Sequence, residues 1–269
     1  MAHRVYGLCL ILTAMLLGLT GCNIGQPQNP SFPLEVGEAQ QAISQMEQNP
    51  VTPVRPVVIA GGWGGTNLAK LPVTKELRRA LGARNVIIVT FNGCKNFTEC
   101  RRRLIGGIQR ALACSDPMTT PEVDVVGVSL GGLVAIDAAA PPVDPARGDA
   151  RQMKIVNLYT ISTPFHGANM AFMPGSKFLD DMMENSDYLT RVRSEVKRAD
   201  YNIIAYGRMG DFWVGVDNVE AAGYPFYWLP NRGLEDAHHG FKDPRIIADI
   251  ARRVRGEQPY TKSPPAPLP

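Results

Sequence analysis

The chain predicts an α/β architecture: a mostly parallel sheet covered by helices on both faces. Short continuous apolar runs such as Val57–Ala60 and Val86–Val89 read as fully buried strands. Stretches with helical spacing, such as Leu71–Leu81, alternate with them. The 269 residues, 45% of them hydrophobic, suffice for one domain of this size with a real core.

In chain order, Val57-Val58-Ile59-Ala60 reads as a first strand, broken by Gly61-Gly62. Leu71–Leu81 reads as helix and Val86–Val89 as strand. Arg101–Cys114 is helical, and Arg101, Arg102 and Arg103 read as its solvated start. Val123–Val128 is a third strand and Leu130–Ala140 a helix of small residues. Ile155–Ile161 and Ile203–Tyr206 add two strands. A last helix starts at Asp243-Pro244, with Asp as cap and Pro at the first helical position. Segment 165–197 breaks the alternation with Met170, Phe172, Met173, Phe178, Leu179, Met182 and Met183. It reads either as a small apolar lid-like insertion walling a binding pocket or as a helix packing methionines on the core.

The ends differ in composition. Arg4 precedes an apolar run, Leu8–Leu19, that is short for a membrane span and ends in Leu19-Thr20-Gly21-Cys22. This resembles the bacterial lipoprotein signal, which implies removal of residues 1–21 and acylation of Cys22. The resemblance implies an exported protein, lipid-anchored to a bacterial membrane on its periplasmic or cell-surface side. Residues 22–53, rich in Gln, Asn, Pro and Glu, read as a polar tether with a short helix around Glu38–Met46. The main domain then covers 54–258, and the Pro-rich end, 259–269, reads as a disordered tail. Of the remaining cysteines, Cys94 and Cys100 are close enough in sequence to bridge, leaving Cys114 as a small buried apolar residue. Their spacing is not that of a zinc site. With 28 Lys and Arg against 25 Asp and Glu, and no basic run interleaved with aromatics, nothing points to nucleic acid.

The chemistry centres on Gly127-Val128-Ser129-Leu130-Gly131, a G-x-S-x-G run placed between a strand and a helix. The chain must reverse sharply there, which lifts a serine hydroxyl above the sheet near a helix N-terminus. The run Val123–Ala135 resembles the nucleophile elbow of bacterial lipases and esterases of the α/β-hydrolase superfamily. Val57–Gly65 resembles their oxyanion loop, and Ser162-Thr163-Pro164-Phe165-His166-Gly167 their segment after the next strand. The resemblance extends from about Pro53 to Arg255. It departs at Gly61 and Val128, where the family commonly has histidine.

The resemblance implies an α/β-hydrolase fold and a serine hydrolase cleaving carboxylic esters through an acyl-enzyme. Its substrate would be an ester or a lipid. Ser129 would be the nucleophile, and the backbone N–H groups of Leu130 and Trp63 would form the oxyanion hole. The family's order of serine, acid, then histidine sets aside His166 and leaves His238 and His239; His238 is preferred, with His239 open as the alternative. Asp211, in the turn after strand Ile203–Tyr206, is the expected acid, and Asp217 the alternative. Such chemistry requires neither cofactor nor metal. A serine acyltransferase or a non-catalytic lipoprotein scaffold on the same fold are the competing functions.

Overall fold

The computed structural model describes residues 27–62, 68–142, 150–172, 177–231 and 237–269. The signal segment, Cys22, Trp63 and Met173 lie outside these residues, so the expectations placed on them have no structural counterpart here.

Six strands form one all-parallel sheet: β1 (Val57–Ala60), β2 (Val86–Val89), β3 (Thr119–Val128), β4 (Gln152–Ile161), β5 (Asn202–Arg208) and β6 (Phe226–Leu229). Their order is β2-β1-β3-β4-β5-β6. The chain therefore builds outward from β1 in one direction, returns, and builds outward in the other. The reversal opens a crevice beyond the C-terminal ends of β1 and β3, the place where open α/β sheets bind ligands.

Among the described residues the α-helices are α1 (Val36–Gln48), α2 (Pro72–Leu81), α3 (Phe97–Ala111), α4 (Leu130–Ala139), α5 (Lys177–Asp181), α6 (Asp187–Arg198) and α7 (Pro244–Val254). Alternate strand residues feed two cores. Val58, Ala60, Val123 and Val125 pack with α3, α4, α5 and α6 on one face. Val57, Ile59, Val126, Val128 and Ile161 pack with α1, α2 and α7 on the other. The expected architecture, a parallel sheet covered on both faces, is thus the observed one. The last helix starts as expected: the Asp243 side chain accepts from Arg245 N at 3.0 Å and Pro244 opens the first turn.

The structure corrects several local expectations. The arginines at 101–103 are not a solvated helix start. The helix begins four residues earlier, at Phe97, and Arg101 is buried, donating to the carbonyls of Ala140 (3.0 Å) and Arg151 (2.7 Å). The supposed tether is packed over much of its length. Ala39, Ala42, Ile43 and Met46 of α1 are buried against the core shared with α2 and α7, as are Phe32 and Leu34 ahead of it. Strand β6 was not among the expectations, although Phe-Tyr-Trp-Leu after a Gly-Tyr-Pro turn is a short, continuous, aromatic run of buried-strand character. Cys114 is not a buried apolar residue: it is half-exposed, and its thiol donates to the carbonyls of Asp116 (3.0 Å) and Thr119 (2.8 Å).

The Pro-rich end is bound rather than loose. Trp228 Nε1 donates to the carbonyls of Ala266 (3.1 Å) and Pro267 (2.9 Å), and Ala266 N donates to Ser31 Oγ (2.9 Å). Asp249, fully buried on α7, is the anchor. It accepts from Tyr206 Oη (2.6 Å), Arg253 Nε (2.9 Å) and Thr261 N (2.8 Å). Asp249→Ala leaves a largely buried guanidinium without its carboxylate and a tyrosine hydroxyl without its acceptor. Breaking a buried pair in this way costs about 3–5 kcal/mol. We expect a correspondingly lower urea midpoint and faster tryptic cleavage after Lys262. An unchanged midpoint would show that the network does not hold the tail.

Candidate active site

Ser129 sits between the last residue of β3 and the first of α4, with φ 52° and ψ −124°. A residue with a Cβ is strained there by about 1–3 kcal/mol, so surrounding contacts must hold it. They are present on both sides. Ser129 N donates to Ile161 O at 2.8 Å, and Ser129 O accepts from Gly132 N at 3.1 Å and from Thr163 Oγ1 at 2.9 Å. The glycines around it are required by close approach. A Cβ on Gly131 would lie 2.2 Å from Ala60 O, and one on Gly127 would lie 2.5 Å from Gly132 Cα. The elbow therefore nests directly on the end of β1. Gly62, two residues past that strand's end, approaches the serine so closely that a Cβ there would be 3.3 Å from Ser129 Cβ.

Thr163, in the Ser-Thr-Pro run after β4, carries no role from the sequence alone. It is fully buried, and a Cβ on Gly132 would meet its hydroxyl at 2.2 Å. Its hydrogen bond reaches the carbonyl of the strained residue itself, so it positions Ser129 without facing the cavity. Thr163→Val keeps the shape and removes that bond. We expect about a 10-fold to 100-fold loss of kcat with KM little changed, and recovery in Thr163→Ser. Equal kcat in Val and Thr forms would remove this role.

Asp211 follows β5 in a turn and its side chain is wholly buried. Its Oδ1 accepts from Trp213 N (3.1 Å) and Val214 N (3.0 Å), the pattern of an Asx turn. That leaves Oδ2 for His238, whose Nδ1 lies 3.1 Å away. One oxygen thus shapes the turn while the other meets the imidazole. With Nδ1 donating to the carboxylate, the ring's acceptor lone pair is on Nε2.

His238 and His239 lie in the turn Ala237–Lys242, which departs from helical geometry at His239 (φ −79°, ψ 37°). The kink turns the two rings to different partners. His239 Nδ1 accepts from Lys242 Nζ at 3.3 Å and its ring meets Phe241 edge-on, with centroids 5.2 Å apart. An ammonium can only donate, so the roles in that bond are fixed. Gly240 seats the loop on β4: a Cβ there would be 3.0 Å from Ile161 Cγ2. Asp217 is exposed, and His166 is half-buried with its backbone N–H on Asn218 O at 3.1 Å.

Ser129, Leu130, Gly62, His238 and His239 line one cavity of about 300 Å³. Its walls are apolar: Leu68, Leu71, Met170, Leu179, Met182 and Phe241 are among them. The segment after β4 contributes to both the core and the cavity wall in its described part. Phe178, Leu179 and Met182 are buried in the core, while Met170, Leu179 and Met182 face the cavity. Among the described residues no cluster of three or more metal-ligating side chains occurs.

No protein-family model and no curated protein matches the chain. Solved structures do. The phospholipase PlaB from Legionella pneumophila is similar at 12% identity, over 75% of this chain and 60% of that one, with a TM-score of 0.55. The same phospholipase in complex with thio-NAD matches at 13% identity over 75% and 58%, with a TM-score of 0.54. The chain thus spans about three-fifths of that protein's length. The esterase domain of a Rhodothermus marinus protein matches at 17% identity over 77% and 89%, with a TM-score of 0.47. At 12–13% identity the likeness to the phospholipase shows the fold alone, and it agrees with the α/β-hydrolase fold expected from the sequence.

Proposed function

We propose that the protein is a serine ester hydrolase of esterase or lipase type that works through an acyl-enzyme intermediate. The carrying observation is the Asp211–His238 contact on the cavity that Ser129 enters from a strained turn. In this reading His238 Nε2 takes the proton of the Ser129 hydroxyl as its oxygen attacks the ester carbonyl. Asp211 holds the imidazole in the tautomer that can accept this proton and stabilises the imidazolium that results. The carbonyl oxygen becomes an oxyanion, received by the Leu130 N–H at the start of α4 and by the Trp63 N–H. The intermediate collapses, His238 returns the proton to the leaving alcohol, and water repeats the sequence on the acyl-enzyme. Nothing in these steps calls for a metal or cofactor.

The apolar walls suit the hydrocarbon part of an acyl group, which favours carboxylic esters or lipids as substrates. A fluorophosphonate probe tests the reading: it should modify the native protein on the tryptic peptide carrying Ser129 and block turnover of p-nitrophenyl esters. A folded protein that takes no label and turns over no ester of any chain length would sink it. The site would work on esters near a bilayer if Cys22 carries a lipid anchor. Cys22→Ser should then lose acylation and leave the membrane fraction, whereas a variant still acylated and membrane-bound would refute the anchor.

A further inference from the structure

Two cysteines take no part in the chemistry proposed above. Cys94 lies half-buried in the loop after β2, and Cys100 is fully buried in the first turns of α3. Cys94 packs against the hydrophobic cluster that contains Cys100. The backbone between them is held independently of the sulfurs. Glu99 accepts from Lys95 N at 2.8 Å, the Asn96 side chain caps Glu99 N at 2.9 Å, and Cys94 N donates to Phe91 O at 3.0 Å. Arg103 adds a guanidinium bond to the carbonyl of Asn92. Cys114 lies beyond the far end of α3; a rise of about 1.5 Å per residue puts it on the order of 20 Å from Cys100.

We propose that Cys94 and Cys100 are a disulfide-forming pair that clamps the loop after β2 to the start of α3. That loop matters to the cavity, because Thr90 and Asn92 line it together with Ser129. The bridge closes a ring short enough to fix the cavity wall and leaves Cys114 as a free thiol.

The oxidant is a disulfide, either of a thiol–disulfide oxidoreductase or of a small thiol. The Cys94 thiolate attacks one of its sulfurs, forming a mixed disulfide and releasing one thiol. The Cys100 sulfur then attacks the Cys94 sulfur and releases the second thiol. The two cysteines lose two electrons and two protons, and the two thiols released carry both. Burial, together with the neighbouring Cys94, pushes the Cys100 thiol well up, so the more exposed Cys94 takes the first step. The bridge brings the two sulfurs to about 2.05 Å.

Trypsin separates the partners, since it cuts after Lys95. The purified full chain in detergent is equilibrated with oxidised glutathione, denatured, alkylated with iodoacetamide and digested. This arrangement does not depend on export or on ester chemistry. The expected product is one species joining peptides Asn85–Lys95 and Asn96–Arg101, with Cys114 alkylated, resolving into two peptides on reduction. Reduction of the native protein should lower its melting temperature by about 5 °C. The proposal is overturned if the two peptides appear separately alkylated, carry glutathione individually, or are linked to Cys114. It is also overturned, as a clamp, if the bridged and reduced proteins melt together.

Discussion

Ser129→Ala is expected to lower ester turnover by four to six orders of magnitude while leaving the fold in place. Loss of a triad nucleophile costs about this much, because only the oxyanion donors and substrate binding remain to accelerate the reaction. Five orders correspond to about 7 kcal/mol of lost transition-state stabilisation. The fold should tolerate the change because the contacts that hold the strained turn are made by backbone atoms of residue 129. Its N–H on Ile161 O and its carbonyl under Gly132 N and Thr163 Oγ1 do not involve the hydroxyl that is removed. Alanine keeps the Cβ, so the cost of the positive φ is unchanged. The measurement is steady-state turnover of a short p-nitrophenyl ester beside a thermal melt. A variant that melts like the parent and retains near-normal turnover would remove the nucleophile assignment and the proposed mechanism with it.

The second large effect separates two neighbours. His238→Ala should reduce kcat by about three to five orders of magnitude, as removal of a triad base does, whereas His239→Ala should cost about tenfold or less. The asymmetry follows from their partners. His238 meets the buried Asp211 carboxylate at 3.1 Å, while His239 faces Lys242 and Phe241. A base needs its second nitrogen oriented by an acceptor so that the first presents a lone pair to the serine. In His239 the Nδ1 position accepts from the Lys242 ammonium instead of meeting a carboxylate. His239 also lines the cavity, so its loss should appear mainly in KM. A large loss only in His239→Ala would exchange the roles. Near-parental turnover in both single variants and in the double variant would mean that neither is the base and would return attention to His166.

Much of this framework is legible in the sequence, because the signals are local. Val57–Ala60 is apolar throughout and Val123–Val128 is apolar except for Asp124, the near-continuous run of strands buried on both faces, and both are strands in the structure. The glycines flanking Ser129 mark a turn in which the chain passes within contact distance of β1. Asp243-Pro244 carries its own capping chemistry and starts α7. In each case the residues that create the signal are those that make the structure.

Other features depend on partners far away in the chain. The α1 segment and the Pro-rich end are polar enough to suggest tether and tail. Their few apolar or hydrogen-bonding groups nevertheless find α7, Trp228 and Asp249. Composition averages over a segment, whereas packing depends on which few side chains meet a complementary surface. Arg101 looked like a solvated charge until the carbonyls of Ala140 and Arg151 supplied its partners.

By itself, then, the sequence determined the layered parallel fold and the serine at its turn, because burial periodicity and turn sterics act within a few residues. Only the tertiary structure set His238 against Asp211. Adjacent residues of one type carry the same local signal. What distinguishes them is a backbone kink at His239 and a carboxylate oxygen left free by the turn at Asp211, 27 residues earlier than His238. Direction in space is set by packing between distant segments, which no local pattern encodes.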